Sequence, residues 1–397
     1  MGNRGLFSLV AYVLKSIARR PERASLDSLR LYLNAQHALY LSSGRCALWV
    51  LLRALSALNP SKREVIVPAY TCPAVASAVL KAGLKLIVAD INLRDFGYSR
   101  SDLAQRINEK TLAVILVHLF GYPASLDGTE EQIKKQGIWL IEDAAQAFGN
   151  ESCQAPSVKL GLSGDAGFFS FGRGKPLSIL HGGLIVTQSD EIYEQLLEIY
   201  KSLKGHSLIQ NLGYLARISL YTLFSNPRLY WIPQRLPWLR LGETHFRPDF
   251  PVSRGYGTAR RAAERMIVFL EEEKKIRTEN TQWYASRFQS FPEVQSPPHQ
   301  SYPYLRYPFR VSPRALRDRI LSELVAKGTG AAPFYPTPLN EMPGLAGCLQ
   351  DQGDYPNAKA LSDSLLTLPV HSLVRQRHRE RIFNIVKICL KGLPKHR

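Results

Sequence analysis

Three short stretches of the sequence place side chains that can do chemistry beside segments with the pattern of strands or helices. Lys175 follows the apolar run 168–171 through a turn that contains two glycines, and Asp143 follows a second apolar run. The small residues Ser43 and Gly44 open a helical pattern. A single lysine after a strand is usually a surface residue, so the stretches are informative only together. Together they supply an amine, a carboxylate and the free N–H groups of a helix N-terminus.

Pyridoxal 5′-phosphate (PLP) requires these three groups of a protein. Its aldehyde bonds to a lysine amine, and its ring nitrogen needs a carboxylate that keeps it protonated and electron-withdrawing. Its phosphate binds to free backbone N–H groups at a helix N-terminus. We therefore interpret the three stretches as a PLP site.

Apolar strand-like segments alternate with helical ones between about residues 42 and 187. Strands are predicted at 64–67, 84–89, 112–118, 139–142, 167–171 and 184–187, and helices at 46–58, 75–82 and, later, 259–277. Most of these strands are apolar throughout, which is typical of a parallel sheet covered on both faces. Ligands of such sheets bind at the carboxyl ends of the strands, where Asp143 and Lys175 are expected.

The chain has 397 residues and a formal net charge of +18, and the excess is confined to three windows. Residues 1–30, 201–248 and 371–397 carry +4, +6 and +7, whereas the stretches between them are nearly neutral. Hydrophobic residues at 45% and charged residues at 21% are close to globular averages and argue against a disordered or polytopic membrane protein. No DNA- or RNA-binding motif accompanies the charge, so we expect no nucleic-acid partner.

Cysteine spacing and the N-terminal window indicate the compartment. The five cysteines are far apart, without the close pairs of a zinc site or the even number of a disulfide framework, which favours a reducing cytoplasm and no metal. The N-terminal apolar run is interrupted by Lys15 and is shorter than the ~20 residues that span a bilayer. We predict a basic amphipathic helix within residues 1–30. Its simplest role is to dock on the protein's own core or on a partner subunit.

On these motifs and others the chain resembles the DegT/DnrJ/StrS family of PLP-dependent sugar aminotransferases. The matching stretches are residues 43–48, 64–71, 117–121, 141–149, 164–175, 182–187, 334–339 and 366–371. The combination of Glu-Asp-Ala-Ala-Gln with Ser-Phe followed by a lysine is specific. The resemblance covers most of residues 40–390 and lapses at about 200–250.

The resemblance implies an α/β protein of PLP fold-type I, the fold of aspartate aminotransferase. A large domain contains a mainly parallel seven-stranded sheet flanked by helices, and a smaller C-terminal α+β domain follows. We place the large domain at 31–250, with an aromatic and basic insertion at 201–248, and the linking helix and small domain at 251–397. The family also implies a homodimer with shared active sites.

Site residues follow from the resemblance position by position. Lys175 is expected to bind the aldehyde and to move the proton, and Asp143 to pair with the ring nitrogen. Gln146 is expected near the phenolic oxygen of the cofactor. The remaining cofactor-binding residues are Gly44, Arg45, Cys46 and Ser170 at the phosphate, and Cys72 at the ring.

Four positions depart from the family pattern. Arg45 replaces a threonine of the phosphate loop, and its cation is expected either at the phosphate or in a subunit interface. Cys72 stands where an aromatic residue normally stacks on the ring, which leaves open what covers the ring. The glycine-asparagine-arginine segment is not recognisable near 242–258, and Phe334 replaces a histidine.

Lys175 favours transamination, because relatives that remove a sugar hydroxyl carry histidine at this position. The expected reaction takes an amino group from an amino acid, with glutamate the first candidate, to a nucleotide-linked keto sugar. Biosynthesis of a surface glycan or of a secondary metabolite is the expected setting. The alternatives are an inactive PLP-binding regulator or scaffold of the same fold, and a PLP enzyme that acts on a non-sugar keto substrate.

The basic, aromatic window 201–248 has two interpretations. Tyr and Trp favour a membrane interface and Lys and Arg meet anionic headgroups, so the window predicts a peripheral attachment to the inner face of the membrane. An elaborated dimer interface or a lid over the active site explains the same composition.

Overall fold

The computed structural model describes residues 27–153, 158–224, 246–349 and 353–391. Its strands are β1 (His37–Leu41), β2 (Glu64–Pro68), β3 (Lys85–Ala89), β4 (Thr111–Val117), β5 (Trp139–Asp143), β6 (Ala166–Ser170), β7 (Gly183–Thr187), β8 (Val294–Gln295), β9 (Tyr307–Val311) and β10 (Leu365–Leu368). Its helices are α1 (Asp27–Leu33), α2 (Gly44–Leu58), α3 (Pro73–Lys81), α4 (Arg100–Arg106), α5 (Glu130–Lys135), α6 (Asp190–Ser202), α7 (Leu208–Phe224), α8 (Gly257–Met266), α9 (Leu270–Phe288), α10 (Arg314–Ala326), α11 (Pro356–Ser364) and α12 (Gln376–Lys391).

Seven strands form one sheet in the order β1-β7-β6-β5-β4-β2-β3. Neighbours from β3 to β6 pair in parallel, whereas β7 runs antiparallel to both β6 and β1. Every residue of β2, β4 and β7 is buried, as the continuously apolar sequences predict for a sheet covered on both faces. The predicted mainly parallel seven-stranded sheet is confirmed.

Helix α2 packs across this sheet and positions the predicted site. Nine of its 15 residues are buried, and it contacts β1, β6 and β7 as well as helices α3 and α6. Its first turn lies against the end of β6 and against the loop residue Gly182 that precedes β7.

A second sheet of three antiparallel strands, in the order β10-β9-β8, belongs to the C-terminal part of the chain. Helices α9, α10 and α12 cover it with a separate apolar core that includes Phe288, Phe309 and Ile320. Asp90, just after β3, accepts hydrogen bonds from the N–H groups of Asn357 and Ala358 at the start of α11 (3.0 and 2.9 Å). The two sheets are thus joined through direct contacts, and the expected smaller α+β unit is present.

The sequence missed one strand and merged two helices. Strand β1 lies just before the first predicted element and pairs with β7, which comes much later in the chain. The helix predicted at 259–277 is two helices, α8 and α9, separated by a 3₁₀ turn at Ile267–Phe269. β-branched Ile267 and Val268 lie in this turn, and such residues are poorer helix formers.

Some predictions fall outside the described residues. The predicted N-terminal helix lies there except for its last four residues, and so does the aromatic part of the insertion, 225–245. Within the described part of the insertion, α7 is present. None of the helices in the described ranges is long and apolar enough to cross a membrane. The domain boundaries near residues 30 and 250 stay predictions.

Candidate active site

The carboxyl ends of β5 and β6 bring two predicted site residues to one edge of the sheet. Asp143 is the last residue of β5 and pairs with Phe168 of β6, and Ser170 ends β6 two residues later. The chain then forms the loop 171–182, which carries Lys175 and returns as β7. Ser43 forms a bridge with Gly182, so this lysine loop lies against the N-terminus of α2.

The first turn of α2 forms a close-packed cradle with the end of β6. The Ser43 side chain caps the helix and accepts the N–H of Cys46 (3.1 Å). A Cβ at Gly44 would lie 2.7 Å from the Cβ of Ser170, so only glycine brings the two segments this close. The Ser170 hydroxyl accepts the N–H of Gly172 (3.3 Å) and faces the same space. This cradle suits a phosphate, because N–H groups and a hydroxyl converge at a positive helix end.

Asp143 is a buried carboxylate, 6% exposed, at the floor of this edge. Burial raises the pKa of its carboxyl group, while the N–H of Ala145 (3.0 Å), the positive charge of Lys175 and the nearby imidazole of His118 act in the opposite direction. Lys175 is therefore close enough to Asp143 to act on it electrostatically. A buried carboxylate with one backbone hydrogen bond is suited to a protonated ring nitrogen of a bound cofactor.

Behind Asp143 lies a buried pair that sequence reasoning left without a role. The Nδ1 of His118 accepts the N–H of Ala124 (3.2 Å), so its Nε2 carries the hydrogen that is donated to Glu142 (2.7 Å). Glu142 also accepts the N–H groups of Gly161 and Gly164. Burial opposes ionisation of Glu142, but His118 and these N–H groups outweigh it and lower the carboxyl pKa. His118 and Glu142 both lie in stretches that match the family, 117–121 and 141–149. This match was the sequence signal that could have identified them.

Gln146 is held in a fixed orientation by two contacts. Its Oε1 accepts the N–H of Phe120 (2.9 Å), and its Nε2 donates to the hydroxyl of Tyr335 (3.4 Å). Phe120 has a positive φ of 58°, which turns its N–H towards the amide. The side chain is 5% exposed, so it faces the site interior, as expected of a residue near a cofactor oxygen.

Cys72 and Arg45 occupy neighbouring positions. Cys72 is the residue before α3 and is half-buried. The Arg45 guanidinium lies over the Phe250 ring, 5.1 Å from its centroid. Burial and the nearby Arg247 lower the pKa of Arg45, and Cys72 acts against them. Arg45 therefore points towards Phe250 and Cys72, along the flank of the cradle.

The lysine loop is also tied to the insertion. Tyr214 of α7 is 1% exposed and donates its hydroxyl hydrogen to the carbonyl of Ile179 (2.9 Å). His181, at the end of the same loop, lies against Tyr256, with ring centroids 4.2 Å apart. Burial lowers the pKa of His181 to about 3, so this ring is neutral at physiological pH.

The fold and the arrangement of Lys175, Asp143 and the α2 cradle define a PLP enzyme of fold-type I. The sequence model of the DegT/DnrJ/EryC1/StrS aminotransferase family matches residues 21–217 and 264–387, and the chain belongs to this family. The gap between the matched ranges contains most of the insertion.

Individual relatives agree with this membership. The chain is 29% identical over 362 residues to UDP-N-acetyl-3-dehydro-alpha-D-glucosamine 3-aminotransferase of Acidithiobacillus ferrooxidans, an alignment that covers 90% of this chain and 85% of the relative. It is 25% identical over 357 residues to dTDP-3-amino-3,4,6-trideoxy-alpha-D-glucose transaminase of Streptomyces venezuelae (90% and 83%). The solved structure of Helicobacter pylori PseC, an aminotransferase of pseudoaminic acid biosynthesis, superposes with a TM-score of 0.76 at 20% identity and covers 98% and 96% of the two chains.

The predicted residues therefore converge on one site whose donor set fits PLP, the cofactor of this family. Bound there, PLP supplies an electron sink that eases proton removal from an amine substrate. The cradle fits its phosphate through the first-turn N–H groups of Gly44 and Arg45 and the hydroxyl of Ser170, whereas the predicted donor Cys46 already gives its N–H to Ser43; Asp143 fits the ring nitrogen. The role of each residue stays a prediction.

Proposed function

We propose that this PLP-dependent aminotransferase moves an amino group from an amino acid, glutamate first among candidates, to a nucleotide-linked keto sugar. The observation that carries the proposal is the placement of buried Asp143, the Lys175 loop and the α2 cradle together at the carboxyl ends of β5 and β6. The names of the relatives support the acceptor class, since two of them act on UDP- and dTDP-linked amino sugars.

Each residue has a definite task in this proposal. Lys175 holds the cofactor and carries the proton between substrate carbon atoms and the cofactor in each half of the reaction. Asp143 keeps the ring nitrogen protonated. The cradle fixes the phosphate end so that the reacting carbon stays within reach of the Lys175 amine, whose loop is anchored at both ends by β6 and β7.

A half-reaction experiment tests the activity and the acceptor class. The purified protein is loaded with PLP, converted with glutamate, and then mixed with individual keto compounds while its visible spectrum is followed. We expect nucleotide-linked keto sugars to restore the starting spectrum, and simple 2-oxo acids other than 2-oxoglutarate to fail. If only non-sugar keto compounds restored the starting spectrum, the proposed acceptor class would be wrong.

Borohydride reduction separates an enzyme from an inactive relative of the same fold. Reduction of the loaded protein is expected to fix a pyridoxyl group on Lys175, located by peptide mass spectrometry. The matched control is Lys204→Ala, which removes an exposed lysine of the insertion and is expected to change nothing. A protein that binds PLP without labelling at Lys175, and without a glutamate reaction, would be a regulator or scaffold.

We propose that the protein works as a homodimer with shared sites, as family membership suggests. Static light scattering should give twice the mass of the chain. A monomer that is active at all dilutions would contradict this arrangement.

We also propose a peripheral attachment of α7 to an anionic membrane surface. Leu208, Ile209, Leu212 and Leu220 lie along one side of α7 at helical spacing and are 55–83% exposed, whereas Tyr214, Leu215 and Ile218 bind the other side to the protein. Between Glu198 and Glu243 the sequence contains six Lys or Arg residues and no acidic residue. An exposed apolar side flanked by cations is typical of interfacial helices.

Vesicle co-sedimentation tests the attachment. Binding is expected to vesicles that contain anionic lipid and not to neutral ones, and to weaken as salt screens the charges. Leu208→Glu with Leu212→Glu should abolish it. Glu substitutions at exposed Val325 and Ile388, on the small domain, form the matched control. If the α7 variant instead changes only the oligomeric mass, the helix is a subunit interface and the membrane proposal fails.

A further inference from the structure

Tyr335 reaches the predicted cofactor site from the C-terminal part of the chain. Its side chain is 5% exposed, and its backbone is fixed on both sides by Tyr70. The Tyr70 hydroxyl donates to the carbonyl of Tyr335 (2.8 Å) and accepts the N–H of Tyr335 (3.2 Å). Tyr70 lies just after β2 and is 1% exposed, so the contact is protected from water. The position of the Tyr335 phenol is thus determined by the large sheet.

The Tyr335 hydroxyl meets three of the predicted cofactor-site residues. It accepts a hydrogen bond from Nε2 of Gln146 (3.4 Å) and lies near the thiol of Cys72 and the carboxylate of Asp143, both of which act on it electrostatically. These residues come from the loops after β2 and β5.

Burial, reinforced by nearby Cys72 and Asp143, holds the pKa of the Tyr335 phenol well above its usual range. The phenol therefore keeps its hydrogen at neutral pH. Since Gln146 uses a lone pair of the hydroxyl oxygen, the phenolic hydrogen remains a donor for an acceptor inside the site.

We propose that Tyr335 is a positioning residue of the cofactor site, whose hydroxyl donates into the space between Gln146 and Cys72 and orders the groups that face the cofactor ring. This inference rests on the proposed function, because it concerns the same site. In this proposal Tyr335 helps to orient the cofactor ring. An aromatic residue at position 72 would do so by stacking on the ring. Small Cys72 leaves the phenol room to approach.

The test compares Tyr335→Phe with the parent protein by the pH dependence of the visible absorbance after loading with PLP. A lost donor to an anionic oxygen makes protonation easier, so the absorbance midpoint should rise by about one pH unit. Affinity for PLP, measured by quenching of protein fluorescence, should fall about tenfold or less. Tyr335→Leu, which also removes the ring, should lower the affinity further.

Tyr284→Phe is the matched control, because Tyr284 is a fully buried tyrosine of the small domain whose hydroxyl points to the carbonyl of Pro369. It is expected to leave midpoint and affinity unchanged. A Tyr335→Phe protein that loads normally, with the parent's midpoint and affinity, would overturn the inference while leaving the proposed function intact. Failure of the parent itself to bind PLP would overturn the proposed function instead.

Discussion

At the scale of single residues, the site combines one buried acid with a lysine on a loop. The Asp143 carboxylate accepts a single backbone hydrogen bond, from Ala145, and burial raises its pKa although Lys175 and His118 act against this effect. A carboxylate in this position costs free energy until a cation lies beside it. The apoprotein therefore carries a destabilising group that binding of a protonated ring would stabilise.

Asp143→Asn should therefore raise the stability of the apoprotein but weaken the binding of PLP. Because a raised folded-state pKa means that ionisation of Asp143 weakens the folded state, the asparagine should stabilise the apoprotein at neutral pH by about 1 kcal/mol. The advantage should shrink as pH falls towards the folded-state pKa. PLP affinity should drop at least tenfold. Thermal unfolding with and without PLP measures both effects, and an unchanged affinity would contradict the assigned pairing.

Cys72 provides a reporter of the ring position. Bound PLP should protect the half-buried Cys72 thiol from iodoacetamide, while the exposed thiols of Cys153 and Cys348 react at the same rate with and without cofactor. Quantitative peptide mass spectrometry gives the three rates in one sample, so the two exposed cysteines serve as internal controls. Equal alkylation of Cys72 in both states would mean that the ring lies elsewhere.

At the scale of elements, the contact between α2 and β6 requires a residue without a side chain. Gly44→Ala would place a Cβ against Ser170, and we expect a loss of about 1–3 kcal/mol in unfolding free energy together with weaker PLP binding. Gly213→Ala in α7 meets no atom within 4 Å and should be neutral or stabilising by up to about 1 kcal/mol. Urea unfolding of both variants makes the comparison. Equal stability would show that the cradle is not tightly packed.

The Glu142–His118 pair joins the ends of β4 and β5 to the loop at residues 161–164. Since the folded-state pKa of Glu142 lies below its ordinary value of 4.5, its contribution to stability is present above that pH and lost as pH falls through the folded-state pKa. Glu142→Gln should lower stability at pH 7 by roughly 3 kcal/mol and flatten the acid limb. Unfolding between pH 3 and 7 measures this. Parallel curves for the two proteins would contradict the pairing.

At the scale of the whole molecule, the two sheets are joined by a few specific contacts. Asp90→Ala removes the acceptor of two N–H groups at the start of α11 and should cost about 1–3 kcal/mol. Calorimetry should show a broader transition, as the C-terminal part separates earlier from the large sheet. Asp354→Ala, at an exposed position just before α11, is the control. A single sharp transition shifted equally in both variants would argue against a role in joining the sheets.

Local sequence predicted the strands that carry the chemistry, because each is a short apolar run followed at once by its functional residue. Asp143 and Lys175 could be placed for this reason. Tyr335 lies in a stretch that matches the family, but its place in the site could not be predicted, since its partner Tyr70 is 265 residues away in the chain. Strand β1 was missed for a similar reason, as its partner β7 lies far along the chain. The orientation of Arg45 depended on Phe250, which comes from beyond the insertion.

The hydrogen bond from Tyr214 of α7 to Ile179 connects the lysine loop to a helix outside the active site. Helix α7 exposes apolar side chains on one side and holds this loop on the other. We therefore expect the helix and the loop to unfold locally as one cooperative unit. Amide hydrogen exchange at residues 176–182 and in α7 should therefore slow together when the outer side of the helix is covered. The lysine loop of the active site would then open less often in the membrane-attached enzyme than in the free one.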